Sequence, residues 1–482
     1  MTLLHFAIAV GVVALLTWAV CKLRRRFSQG GGFWDYVKNL TWRDYYAREL
    51  ARKREAIESP PLDDETIYHL VEKLLEVKDR DYVKQRLSAQ KERALPSLLQ
   101  ALADPRYHRA KMTDDYREET PLERILDLIR PFAPHEAAQS LVPLIQRDRP
   151  DCHRKAAAAV LGAIGSDECI APIQGVLKGS DDSVQHYAMN GIAEAVKEGR
   201  ASPAFREAMF DAIVPLVSRR NMTASETAPR ILLLLNKEKA VALLLDDRFF
   251  TPANQELHHI LWALKCSEVP VPTAKLLNLI KGLREVADKY PGSYAYGYAL
   301  LLLARTSSCE AERIIRESLT MPYEKVRECA TQALCILNGL PADPTEVVWK
   351  QLKALGVSGL TEPQRILYHV SILKSEVENG GLAQYFVNSS GEQAREALAA
   401  LKVINAVRSA EALAKAITLF GGQGPSRDHR ERHHQMASLG LRQEEVWEPL
   451  NRAFCDPDDP LNLRIMLYAI SHAADFRQTN AH

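Results

Sequence analysis

The sequence lacks the short motifs by which most enzymes announce themselves. It has no Gly-x-Ser-x-Gly elbow, no phosphate-cradling Gly-x-x-x-x-Gly-Lys-Ser/Thr and no dinucleotide Gly-x-Gly-x-x-Gly. The glycine-rich run Gly421-Gly422-Gln423-Gly424-Pro425 has neither the lysine nor the preceding strand that a phosphate loop needs, so it reads as a connecting loop. Cysteine is sparse: there are 8 in 482 residues, none in a Cys-x-x-Cys pair and none grouped with histidine at zinc spacing. Several, such as Cys329 and Cys335, sit among apolar helical residues, where a free thiol packs like a small hydrophobe and fits a reducing compartment. Charge of one sign is also missing. The 62 basic and 61 acidic side chains leave a formal net charge of +1, so no global field favours nucleic acid or an acidic substrate.

What is present is ordinary globular material. Hydrophobic residues make up 46% and charged residues 26%, enough apolar surface for a large core, and the length suggests two to four domains. The main histidine cluster is Asp428-His429-Arg430-Glu431-Arg432-His433-His434. His429 and His433 share a helical face, but Arg430 stands where a zinc hydrolase places glutamate, and two arginines repel a cation. An exposed helix start is the simpler reading, with Asp428 and Arg432 as an i,i+4 ion pair or cap. Asp456-Pro457-Asp458-Asp459-Pro460 reads as a turn before the last helix. No metal, cofactor or catalytic residue is expected.

The first 21 residues carry no Asp, Glu, Lys or Arg and are long enough to span a bilayer as a helix. Lys22, Arg24, Arg25 and Arg26 follow at once. A cleaved signal peptide has its charges before the apolar run, so the pattern predicts a retained transmembrane helix. The positive-inside rule puts this basic cluster in the cytoplasm. The expectation is a single-pass protein of the inner (plasma) membrane, N-terminus outside and body cytoplasmic. Residues 22–60 form a basic, aromatic linker that either rests on headgroups or packs on the first helices.

Residues 61–345 show internal helical periodicity. One signature is His153-Arg154-x-x-Ala157-Ala158-x-Val160-Leu161-Gly162, repeated as Val184-Gln185-x-x-Ala188-x-x-Gly191-Ile192 and Val326-Arg327-x-x-Ala330-x-x-Ala333-Leu334. Small residues at helical spacing let helices approach closely. A second signature places Pro96, Pro143, Pro172 and Pro215 among aliphatic residues, which predicts helix starts. Asp181-Asp182-Ser183 supplies a cap. Dense apolar runs at 230–235 and 298–303 predict buried helices. With Arg154 and Gln185 about 31 residues apart, this region resembles the HEAT repeat family. The resemblance implies an α-solenoid that binds protein.

Residues 346–482 form a separate module. A helix is expected to end at Asn379-Gly380-Gly381, where Asn and Gly tolerate left-handed closure. Asn388-Ser389-Ser390-Gly391 reads as a turn and cap for an alanine-rich helix. The ordered set Glu376, Asn379, Gly380, Gly381, Gln384, Tyr385, Phe386, Asn388, Ser389, Ser390 and Gly391, followed by Phe420-Gly421-Gly422, Pro425, Asp428 and Arg432, resembles the DNA mimic protein 19 family over about 363–476. The resemblance implies a compact helical domain. Mimicry needs dense negative charge to replace phosphates, yet residues 350–482 hold about 15 basic and about 15 acidic side chains. Of this set, Glu376, Asn379, Gly380, Gly381, Gln384, Tyr385, Asn388 and Ser389, with Asp428 and Arg432, are the candidate partner-binding residues; turns, caps and a buried amide network account for the same residue types.

The sequence as a whole therefore reads as all-α: an N-terminal transmembrane helix, a HEAT-like α-solenoid and a compact helical C-terminal domain. The expected function is a bacterial membrane-anchored adaptor that binds a protein partner, has no catalytic activity and does not bind nucleic acid. The alternative is an immunity or regulatory protein that sequesters a toxin or transcription regulator.

Overall fold

The computed structural model describes residues 62–477, apart from 77–79, 110–118, 221–222, 307, 440–442 and 457–458. Every regular element among them is helical. The expected membrane helix at 1–21 and its flank Lys22, Arg24, Arg25 and Arg26 lie outside the described residues. Among the described residues no helix is long and apolar enough to cross a membrane. The longest, Glu362–Val387, has the length but carries Arg365, Lys374, Glu376 and Glu378 along it. Charges at that density are costly in hydrocarbon. The membrane anchor, the single-pass topology and the inner-membrane location are accordingly corrected: no helix among the described residues supports them.

The chain divides into two compact units between Cys329 and Ala330. In the first, the helices Pro121–Ile129 (α1), Asp151–Ile164 (α2), Asp182–Lys197 (α3), Thr223–Leu235 (α4), Leu257–Cys266 (α5) and Gly292–Leu303 (α6) pack in sequence order, with shorter helices between them. The α2–α3 seam shows why small residues recur. A Cβ on Gly162 would sit 2.5 Å from the Ala188 carbonyl oxygen, and one on Gly191 would collide with the Ala159 carbonyl. Ala157, Ala158, Ala159, Ala188 and Ile192 fill the seam with essentially no exposure. The dense apolar runs are buried at Ile231, Leu232, Leu233 and Leu235 of α4 and at Leu300, Leu301, Leu302 and Leu303 of α6.

Polar residues at matching positions of the recurring sequence signature tie their helices to the surroundings. Arg154 donates to Asp181 at 2.6 Å. Gln185 donates to the carbonyls of Leu177 and Gly179 at 2.9 and 2.8 Å, and Arg327 donates to Met321 O at 2.9 Å. Gln185 and Arg327 satisfy carbonyls left open where the preceding helix or turn ends, whereas Arg154 pairs with the carboxylate that caps the next helix. Asp181 caps α3 by accepting from Val184 N at 3.1 Å.

The prolines behave differently from expectation. Pro172 lies in the first turn of Ile170–Lys178, but Pro96 lies inside Lys91–Ala103. Pro143 and Pro215 sit in 3-10 turns that directly follow helices. A missing N–H is tolerated in such terminal turns as well as in opening ones, so apolar-Pro-apolar does not by itself distinguish a helix start from a helix finish.

In the second unit, the helices Glu362–Val387 (α7), Ala394–Val403 (α8), Val407–Thr418 (α9), His429–Ser438 (α10), Glu448–Phe454 (α11) and Leu461–Ser471 (α12) surround one apolar core. Leu367, Leu373, Leu382, Phe386, Leu401, Leu413 and Phe476 are fully buried there. Thr361 and Gln364 form a capping box that opens α7. The Gln364 amide also donates to Asp475 O at 2.8 Å, joining the start of α7 to the end of the unit.

Candidate functional site

α7 is two helices in one. Gly380 and Gly381 depart from helical geometry, and Gly381 has φ +80°. The kink has a defined partner: Asn451 Oδ1 accepts from Leu382 N at 2.8 Å, and a Cβ on Gly381 would lie 2.5 Å from Asn451 Nδ2. Asn451 belongs to α11, far along the sequence, so the bend is imposed by tertiary contact as well as by glycine.

Across the bend the chain folds back on Glu376. Its carboxylate accepts from Asn388 Nδ2 at 2.7 Å, Ser390 Oγ at 3.0 Å and Gln384 Nε2 at 3.2 Å. A second anchor is Arg432 on α10, a fully buried guanidinium. It donates to Phe386 O at 2.8 Å, Asn388 O at 2.9 Å, Ser426 O at 2.6 Å and Arg427 O at 3.3 Å. Burial pulls its proton affinity below the ordinary arginine value, while Glu392, Tyr385 and Asp428 oppose that pull. Four carbonyl dipoles meet the planar fork, so the charge is solvated by the backbone. Asp428 does not pair with this guanidinium by a hydrogen bond; it caps α10 by accepting from Glu431 N at 2.8 Å.

The sequence-derived residues thus take three kinds of position. Glu376, Gln384 and Asn388 form one hydrogen-bond network, and Arg432 holds the same segment from below. Gly380 and Gly381 make the bend, and Tyr385 is buried, its hydroxyl pushed well above the ordinary tyrosine range by burial. Asn379 and Ser389 are exposed on the two arms of the bend. Among the set there is no nucleophile paired with a base. His433 lies 4.5 Å from His429, ring to ring, and its Nε2 is 2.8 Å from Val387 O, so it too braces this segment.

Sequence reading missed Ser390 as a network member and Asn451 as the partner of the bend. It also missed a polar group in the first unit. Glu256 and His258 are 5% exposed, and His259 lies beside them. Burial pushes both imidazoles below the ordinary histidine value, His258 to about 4. Glu256-x-His258-His259 has no recognised ligand spacing, so only the fold reveals it.

Comparison with known proteins bears on the second unit alone. No curated protein and no solved structure matches the chain. Residues 358–472, the segment that contains the bend, the Glu376 network and Arg432, match the family described as DMP19-like protein, and this part of the chain is a DMP19-like domain.

Proposed function

We propose that the chain is a protein-binding adaptor or scaffold without catalytic activity, and that the bend at 379–391 is its recognition element. In this reading residues 61–345 are a HEAT-like array and residues 346–482 the recognition module. The observation that carries it is the pairing of a locked backbone with an exposed edge. Glu376 and Arg432 fix the segment from inside, while Asn379 and Ser389 stay exposed. A preorganised edge loses little entropy on binding, which is what a recognition surface requires.

A second reading follows from the DMP19-like match: the domain captures a regulatory protein or toxin. The balanced charge of this region favours ordinary protein recognition over replacement of phosphates. The test is affinity capture with the full chain and with the N379K/S389K variant. Partners that copurify with the wild type and are lost with the variant support the proposal. An unchanged partner set refutes it, and a captured DNA-binding protein displaced from its DNA selects the second reading.

A further inference from the structure

Three potential metal ligands converge at the start of α5. One ligand atom from each of Glu256, His258 and His259 lies within 4.8 Å of the others. Neighbouring residues on a helix ordinarily diverge by about 100°. Here the two imidazole rings nevertheless approach to 3.8 Å between centroids, tilted by 36°. His259 Nε2 is 3.4 Å from Glu256 Oε2. Two ligand atoms, each about 2.0–2.1 Å from a tetrahedral zinc, lie roughly 3.4 Å apart.

A second observation points the same way. His258 Nδ1 is buried and makes no well-formed hydrogen bond, only a weak approach to the Gln255 main chain, so it keeps the capacity to ligate an ion. The opposite nitrogen, Nε2, is 3.0 Å from the Tyr290 hydroxyl. Ser225 Oγ donates to Glu256 at 3.3 Å. Metal-binding imidazoles are oriented in this way by a partner on the far nitrogen, and ligating carboxylates by a hydrogen bond.

We propose that Glu256, His258 and His259 bind one divalent transition-metal ion, zinc above all, with Ser225 and Tyr290 orienting the ligands. Two imidazoles and one carboxylate suit zinc, and the imidazoles disfavour calcium or magnesium, which take oxygen ligands. Three protein ligands leave the fourth tetrahedral position for water or for a donor atom from a bound partner.

The test uses full-length protein freed of metal by chelator. Cobalt(II) is titrated and followed by visible absorption, then displaced by zinc, with circular dichroism confirming the fold of each variant. The expected result is one ion per chain with tetrahedral cobalt bands. H258A and H259A weaken binding by at least ~10-fold, and Y290F by roughly 10-fold through the lost orienting contact. If H258A fails to fold, H259A, whose side chain is partly exposed, and E256Q decide the matter. Absence of binding by the folded wild type, or undiminished binding by all of E256Q, H258A and H259A, overturns the proposal.

Discussion

Glu376 and Asn388 stand on opposite arms of a bent helix, and the Asn388 side-chain amide donates to the Glu376 carboxylate at 2.7 Å. Ser390 and Gln384 donate to the same carboxylate. Replacing Glu376 with alanine leaves these donors without their acceptor. Hydrogen bonds to charged groups contribute about 1.5–3 kcal/mol each, and partial rescue by water lowers the sum. E376A should lower stability by about 2–3 kcal/mol in urea unfolding. A change below about 0.5 kcal/mol would mean that the network does not hold the bend.

Arg432 carries a larger burden, because four carbonyls converge on a fully buried side chain. R432A removes the donors and leaves a cavity, and should cost on the order of 3–5 kcal/mol. R432K keeps the charge but not the fork, and should recover only a minor part of the loss. Equal stability of R432K and wild type would show that charge alone suffices.

Close packing in the first unit gives a prediction independent of the bend. A methyl group at Gly191 meets the Ala159 carbonyl, and backbone cannot rotate away as a side chain can. G191A should therefore destabilise by about 1–3 kcal/mol, although alanine is the better helix former. An increase in melting temperature would contradict the α2–α3 seam.

The pH dependence follows from half-buried histidines in the second unit. Burial lowers the proton affinity of His369, against an opposing hydrogen bond to Gln393 and the charge of Glu396, with Arg365 adding to the lowering. Burial also lowers that of His433. A depressed folded value means that the unfolded chain binds more protons below the ordinary histidine value of 6.5. Stability from these residues is present above that pH and is lost as pH falls below it. Urea midpoints measured between about pH 7.5 and 5 should decline, and the H369Q/H433Q variant should decline less. Parallel profiles for variant and wild type would assign the acid sensitivity elsewhere.

How much of this could be read from sequence depends on range. The helical class, the close-packing signature at Gly162 and Gly191 and the break in the helix at Gly380-Gly381 are local patterns, and local sterics write them into the chain. The capping role of Asp428 was likewise among the options its spacing allowed. Arg432 was visible as a matching residue, but its acceptors are main-chain carbonyls, which leave no trace in side-chain identity. Asn451 lies 69 residues from Leu382, beyond any periodicity. Glu256, His258 and His259 gain meaning only when α5 folds their side chains together. The membrane expectation failed for another reason: it rested on residues 1–26, outside the described chain, and no helix among the described residues supports it.

Contact between the exposed edge of the bend and a partner is read out by site-specific photo-cross-linking in the full-length protein. A cross-linking residue is placed at Ser389 and, as a control in the same unit, at the exposed Glu411. The expected result is one discrete cross-linked species from Ser389, abolished by N379K in the same chain, and none from Glu411. Equal labelling at both positions, or none at Ser389 while partners still copurify with the protein, would contradict it.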